Sequence, residues 1–448
     1  MARYAKQLDL PTDAQTAFAW HERPGAFERL APPWQRISIA ERTGSIQSGD
    51  RLVMRLRLGP FARRWVAVHE DYEAGRQFVD RQEHGPFAAW RHVHRFSDEH
   101  RLSDEHRLSD EHSAGRLEDV VDYRLPLGAL GSLAAGRVTT RQLDRLFSFR
   151  HRRLVHDLER HQMTNQVLRV AITGSSGLIG SALSAFLTTG GHEVVRVPRG
   201  SSAALEGLDA VVHLAGEPIG KRWTDARRQE IARSRDEGTR ALATALASLE
   251  RPPGVFISAS AVGIYGSRED EILTEDSAHG TGFLAEVCER WEVATAPAAD
   301  AGIRVANLRF GVVLEAVLPR MLTPFRLGLG GRIGSGRQWF SWIALDDLVS
   351  AVHFAVLDER LRGPVNVTSP EPVSNAAFTK VLGKVLRRPT VFPLPAAAVS
   401  ALFGEMGKST LLASQRVLPQ RLHAAGFEFG YPRLEDALRH VLGLTDTT

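Results

Sequence analysis

The chain has 448 residues, 43% of them hydrophobic and 24% charged, and its 56 lysines and arginines against 52 acids leave a formal net charge of +4. That length predicts two to three domains, and the near-balance of charge argues against a nucleic-acid-binding polycation. Runs of 18 apolar residues, the mark of a membrane span, do not occur, and the single cysteine, Cys288, excludes an internal disulfide or a multi-cysteine metal site.

The start, Met1 to Asp13, has no apolar stretch behind its basic residues, so a cytoplasmic protein is expected. Arg3 to Leu8 reads as a strand, Pro11-Thr12-Asp13 caps a helix through His21, and Pro24-Gly25 opens another. Alternating stretches at Trp34–Arg42, Arg51–Leu58, Arg63–Tyr72 and Gln77–Gln82 predict further strands, and Ala134–His161 predicts one long helix. A helix laid across a curved antiparallel sheet commonly encloses an apolar cavity. Within this region a six-residue unit ending in His100 recurs to His106 and His112. Its period fits no helix face, and its polar composition predicts a solvated hairpin or loop over 95–112. His94, His100, His106 and His112 would share one side of an extended strand, an arrangement able to capture a metal, but no metal site is assigned.

After a linker at His161–Gln166, the apolar strand Val167–Ile172 runs into Thr173-Gly174-Ser175-Ser176-Gly177-Leu178-Ile179-Gly180 and a helix to Thr188. A glycine turn between a buried strand and a helix lets backbone amides cradle a diphosphate at the helix's positive end. The strand Glu193–Val197 follows, and the twelve residues before Ala210 are too few for a helix and another strand. A Rossmann-type doubly wound parallel sheet one edge strand short is therefore predicted. No acid ends the second strand; Arg199 stands there and can pair with a 2'-phosphate, which favours NADP over NAD. Two more strands end in small residues, Val211–Gly216 and Phe256–Gly266. The cofactor-contact set is thus Gly174 to Gly180, Arg199, Leu214, Ala215, Gly216 and Ser258.

Together these strand ends resemble the extended short-chain dehydrogenase/reductases, the class of sugar-nucleotide epimerases, over about residues 167 to 445. His213–Ile219, Lys221-Arg222-Trp223-Thr224, Ser234-Arg235, Ser258–Gly263, Gly334–Trp339 and Ser341-Trp342-Ile343 resemble more narrowly the "epimerase family" or cell-division-inhibitor-like branch. Pro393–Leu444 resembles that branch's small helical extension, and Phe18–His21 with Pro24–Leu30 resembles the START-like, Bet v 1-like helix-grip (SRPBCC) domains that hold hydrophobic ligands. The implied layout is an α+β helix-grip domain over 1–162, a nucleotide-binding domain over 167–392 and the extension over 393–445.

The class normally uses a Tyr-x-x-x-Lys pair, whose ammonium lowers the tyrosine pKa for proton transfer. None of the five tyrosines stands four residues before any of the five lysines, and at the expected helix the two positions fall on Phe283 or Leu284 and near Cys288. The resemblance leaves Ser260 to polarise a substrate carbonyl and Tyr265 as a second candidate, with Glu217, Lys221, Arg337 and Trp339 toward a small-molecule substrate. An NADP-dependent reductase or epimerase is one expectation. A catalytically silent NADP(H)-binding regulator, or a carrier of a hydrophobic ligand, is the other.

Overall fold

The computed structural model describes residues 1–58, 61–99, 114–126, 128–198 and 205–444. Two compact units emerge. One comprises Met1–Asn165 with the short segments Thr188–Gly191 and Leu442–Thr448, and the other Gln166–Leu187 with His192–Val441.

The first unit runs β1 (Ala2–Asp9), α1 (Ala14–Glu22), α2 (Ala26–Leu30), β2 (Arg36–Thr43), β3 (Arg51–Leu58), β4 (Phe61–Glu73), β5 (Gln77–His84), β6 (Ala89–Glu99), β7 (Ala114–Arg124) and α3 (Gly128–His161). Its strands form one antiparallel sheet in the order β1-β7-β6-β5-β4-β3-β2. Asp13 caps α1 by accepting from the Thr16 amide, as its place before an apolar stretch predicts. Along α3, Leu143, Phe147, His151, Leu154 and Leu158 are buried at spacings of three and four, one helix face. Leu154 and Leu158 join Phe18, Phe78, Phe96 and Leu117 in a core against the sheet.

Residues 95–99 continue β6 and pair with Glu118 to Ala114 of β7, as the two arms of a hairpin do; the rest of the repeat lies outside the described residues. At the centre of the sheet's inner face, His21, His94, Asp119, Phe147, Arg150 and His151 border a void of about 10 Å³, room for no more than a water. A larger, open cleft of about 970 Å³ beside α1 is lined largely by polar residues such as Gln7, Glu22, Arg95 and Glu118.

The second unit contains β8 (Arg169–Thr173), α4 (Leu178–Thr189), β9 (Glu193–Val197), β10 (Ala210–His213), α5 (Asp225–Ala247), β11 (Val255–Ala261), β12 (Ile272–Leu273), α6 (Phe283–Val293), α7 (Ala296–Asp300), β13 (Arg304–Phe310), β14 (Val312–Val313), α8 (Leu314–Arg326), β15 (Trp339–Phe340), β16 (Trp342–Ile343), α9 (Leu345–Leu357) and β17 (Gly363–Val367). A parallel sheet orders β17-β13-β11-β10-β8-β9, with β9 at its margin. Alternate residues pack opposite layers. Val170 and Ile172 meet α4 and α9 through Leu183, Phe186, Leu348 and Val352, whereas Ala171 and Val211 meet α5 and α7 through Ala243, Leu246 and Ala298.

The tail adds β18 (Val373–Ser374), α10 (Asn375–Leu386), α11 (Ala396–Thr410), β19 (Arg416–Val417), α12 (Gln420–Ala424) and α13 (Leu434–Leu442). β19 pairs with β12, tying this extension to the body. Asp346 and Asp347 sit in the first turn of α9, fully buried. Asp347 accepts from the Gly430 and Tyr431 amides at 2.7 and 3.0 Å, and His440 Nε2 lies 2.9 Å from Asp346.

Candidate functional site

The carboxyl ends of β8, β10 and β11 lie in register, with Thr173, His213 and Ser258 side by side. Thr173 Oγ1 and Thr239 Oγ1 hold the His213 ring at 2.7 and 3.0 Å, and burial pushes this imidazole down to about 4. A neutral ring thus ties two strand ends to α5.

Beyond Thr173 the chain turns at Gly174, whose φ of +69° belongs to the left-handed region. A side chain there would also strike the Leu214 carbonyl at 2.8 Å, so the first turn presses directly on the second. Gly180, in the first turn of α4, is tighter: a Cβ would stand 2.2 Å from the Gly174 carbonyl oxygen. Ser176, Gly177 and Leu178 are exposed, Leu178 by 44%, and they open the helix with amides that lack intrahelical acceptors. Leu214, Ala215, Gly216 and Glu217 are half-buried beside this turn. Glycines that only packing needed would not leave the helix start open, so the geometry fits a diphosphate. Arg199 lies outside the described residues.

Other expected residues fall differently. Ser258 is fully buried and its hydroxyl turns to the Ala259 carbonyl, so only its backbone faces the strand end. Ser260 is 2% exposed and donates to Glu292 Oε1 at 2.7 Å. Tyr265, a proton-donor candidate, is instead enclosed: its hydroxyl donates to Asn366 Oδ1 at 2.7 Å and accepts from Arg309 at 2.8 Å. Burial raises its pKa, although Arg309 opposes the shift. Glu217 pairs with Arg227 at 2.8 Å, and Lys221 is exposed. Trp339 is fixed by Asp270, Ser414 and a covering Arg416, none of them part of the three strand ends, and Arg337 is exposed on the preceding turn. Asp347 and Asp346 hold the tail through Gly430, Tyr431 and His440.

Three residues given no role by the sequence stand out. Glu292, one turn beyond Cys288 on α6, receives Arg309 through both carboxylate oxygens at 2.8 Å each. That ion pair raises the Arg309 pKa against burial and fixes the carboxylate on Ser260. Arg235 of α5 lies against Gly216, donates to the Glu217 carbonyl at 3.0 Å and stacks over Trp291 at 4.8 Å. Its charge opposes the rise that burial imposes on the Cys288 thiol pKa. The Cys288 thiol is buried and pushed up to about 12, so it supplies neither acid nor nucleophile near neutral pH. Of these, only Arg235 carried a sequence signal, through its place in the Ser234-Arg235 pair.

Residues 170–367 match the NAD dependent epimerase/dehydratase family, and 394–441 match a domain of unknown function, DUF1731. An epimerase family protein of Mycobacterium bovis is 44% identical over 297 residues, covering 62% of this chain and 97% of that protein. The crystal structure of a nucleoside-diphosphate sugar epimerase from Corynebacterium glutamicum aligns with a TM-score of 0.79 at 35% identity, over 98% of this chain and 90% of its own. That of human epimerase family protein SDR39U1, solved with NADPH, aligns with a TM-score of 0.59 at 34% identity, over 61% of this chain and 99% of its own. With strand-end geometry, family match and near-complete coverage of a 44%-identical relative in agreement, the chain belongs to the NAD-dependent epimerase/dehydratase family.

Proposed function

We propose that the second unit binds NADP(H) across the Gly174–Gly180 turn and exchanges a hydride with a carbonyl or hydroxyl substrate. The observation that carries the reading is Gly180, where a single methyl group would fill the space against Gly174 and close the open start of α4. NADPH in the 34%-identical human structure supports the choice of phosphorylated cofactor. When bound, the oxidised dinucleotide would take the hydride from the alcohol carbon, and the reduced form would return it with the proton path reversed. Ser260 gives its own proton to Glu292, so its lone pairs are left to accept from a substrate hydroxyl. Glu292, pinned by Arg309, then stands as the proton's destination, a two-residue relay in place of tyrosine and lysine. Arg235 is the cation available for an anionic group of the substrate. In the first unit, the order of the seven strands and the long closing helix support a helix-grip domain.

A silent NADP(H)-binding protein is the second reading. It is favoured by one observation, that the Ser260 and Tyr265 hydroxyls are both already bonded inside the protein. Thermal shifts of the full chain with NADPH and NADH test the binding, since ligand at 100 times Kd raises stability by about 2.7 kcal/mol. NADPH is expected to raise Tm more than NADH; no shift with either overturns the proposal. A carbonyl panel then divides the readings. Ser260→Ala is expected to lower kcat by about 100-fold with NADPH affinity unchanged, and absence of turnover in wild type assigns the silent reading.

A further inference from the structure

We infer that the inner face of the first unit's sheet is a binding site for a divalent transition-metal ion, ligated by Asp80, His92 and His94. Strand register brings these residues together. His69 of β4 faces Asp80 of β5, Asp80 faces His92 of β6, and His94, two residues along the same face, is opposite Asp119 of β7. One ligand atom from each of Asp80, His92 and His94 lies within 4.8 Å of the others. Asp80 Oδ2 is 3.6 Å from His92 Nδ1 and 3.3 Å from His94 Nε2. Ligands about 2.05 Å from a tetrahedral ion stand roughly 3.3 Å apart, so these edges need little adjustment.

The surrounding groups are arranged as a metal would require. His92 keeps its other nitrogen, Nε2, 2.9 Å from Asp119 Oδ1, and His94 Nδ1 approaches the same oxygen at 2.8 Å. Asp119 therefore lies against one nitrogen of each ring while the other faces Asp80, and an ion bound there would displace the proton that His94 Nε2 shares with Asp80. His151 of α3 lies 2.6 Å from Asp119 Oδ2, and His69 Nδ1 lies 2.9 Å from Asp80 Oδ1, so each carboxylate is itself oriented. Both ring ligands are buried, while the Asp80 side chain is 25% exposed and marks the way in. Two imidazoles and one carboxylate suit zinc and its neighbours rather than calcium or magnesium, and three protein ligands leave a position for water or substrate.

The test is a titration of the full, chelator-treated chain with Co²⁺ alone. Visible ligand-field bands saturating at one equivalent and lost on adding Zn²⁺ are expected. Asp80→Asn and His94→Gln are each expected to weaken Co²⁺ binding by about 100-fold or more with the metal-free far-UV spectrum unchanged. A variant with His100, His106 and His112 all changed to Gln is expected to bind as wild type does. Absence of bands in the wild-type chain, meaning an ion-pair network only, overturns the inference, and so does loss of binding in the triple variant alone. Should His94→Gln fail to fold, Asp80→Asn at its partly exposed position makes the same comparison.

Discussion

The two units keep their chemistry in different parts of the chain. The nucleotide crevice we propose is built from backbone: Gly174 and Gly180 matter for the side chains they lack, beside three strand ends in register. The inner face of the first unit is built from side chains, with Asp80, His92, His94, Asp119 and His151 drawn from three strands and a helix. A site made of backbone announces itself in consecutive residues. One made of side chains across a sheet exists only once register is set.

The sharpest way to break this contrast is Gly180→Val, which places a branched side chain 2.2 Å from the Gly174 oxygen. NADPH affinity measured by fluorescence titration is expected to fall by more than about 100-fold, because the diphosphate loses the backbone approach. Wild-type affinity in that variant would show that the crevice does not depend on backbone proximity.

Next in size is Arg29→Leu. Arg29 is 1% exposed and donates to Asp157 at 2.7 Å, and this pairing overcomes burial to hold the Asp157 carboxyl at about 2. Leaving Asp157 buried with only His156, 3.5 Å away, beside it is expected to cost about 3–5 kcal/mol in the first unit, read as a lower urea midpoint, with NADPH affinity unchanged.

A smaller effect follows pH. His213 titrates near 4 in the fold against an ordinary value of 6.5, so the unfolded chain takes up its proton first. Its contribution to stability is complete above about pH 6.5 and declines toward pH 4, by about 3 kcal/mol in total. His213→Gln should flatten the stability profile across that window, and an unchanged slope would contradict the buried neutral ring. Smallest of all, Cys288 should resist iodoacetamide in the native protein at pH 8 and react after unfolding.

Much of the second unit was legible. Val167 to Thr188 states strand, turn and helix in one stretch, and the twelve residues before Ala210 leave β9 at the sheet margin. Arg309 and Glu292 were not legible, because they meet through the packing of α6 on β13 and no local period records it. Ser258 and Tyr265 misled for a related reason: a hydroxyl near a strand end faces the ligand on one side of the sheet and the core on the other. In the first unit the hexapeptide repeat drew the eye to His100, His106 and His112, whereas His92 and His94 gain partners from residues 12 to 27 positions away.

Asp346 and Asp347 give the tail a meaning beyond attachment. Both carboxylates lie beneath it, and their partners Gly430, Tyr431 and His440 all come from the last few dozen residues. A polypeptide ending before Pro393 would lose these partners of two buried carboxylates, so trimming at that point is expected to lower the stability of the remaining body.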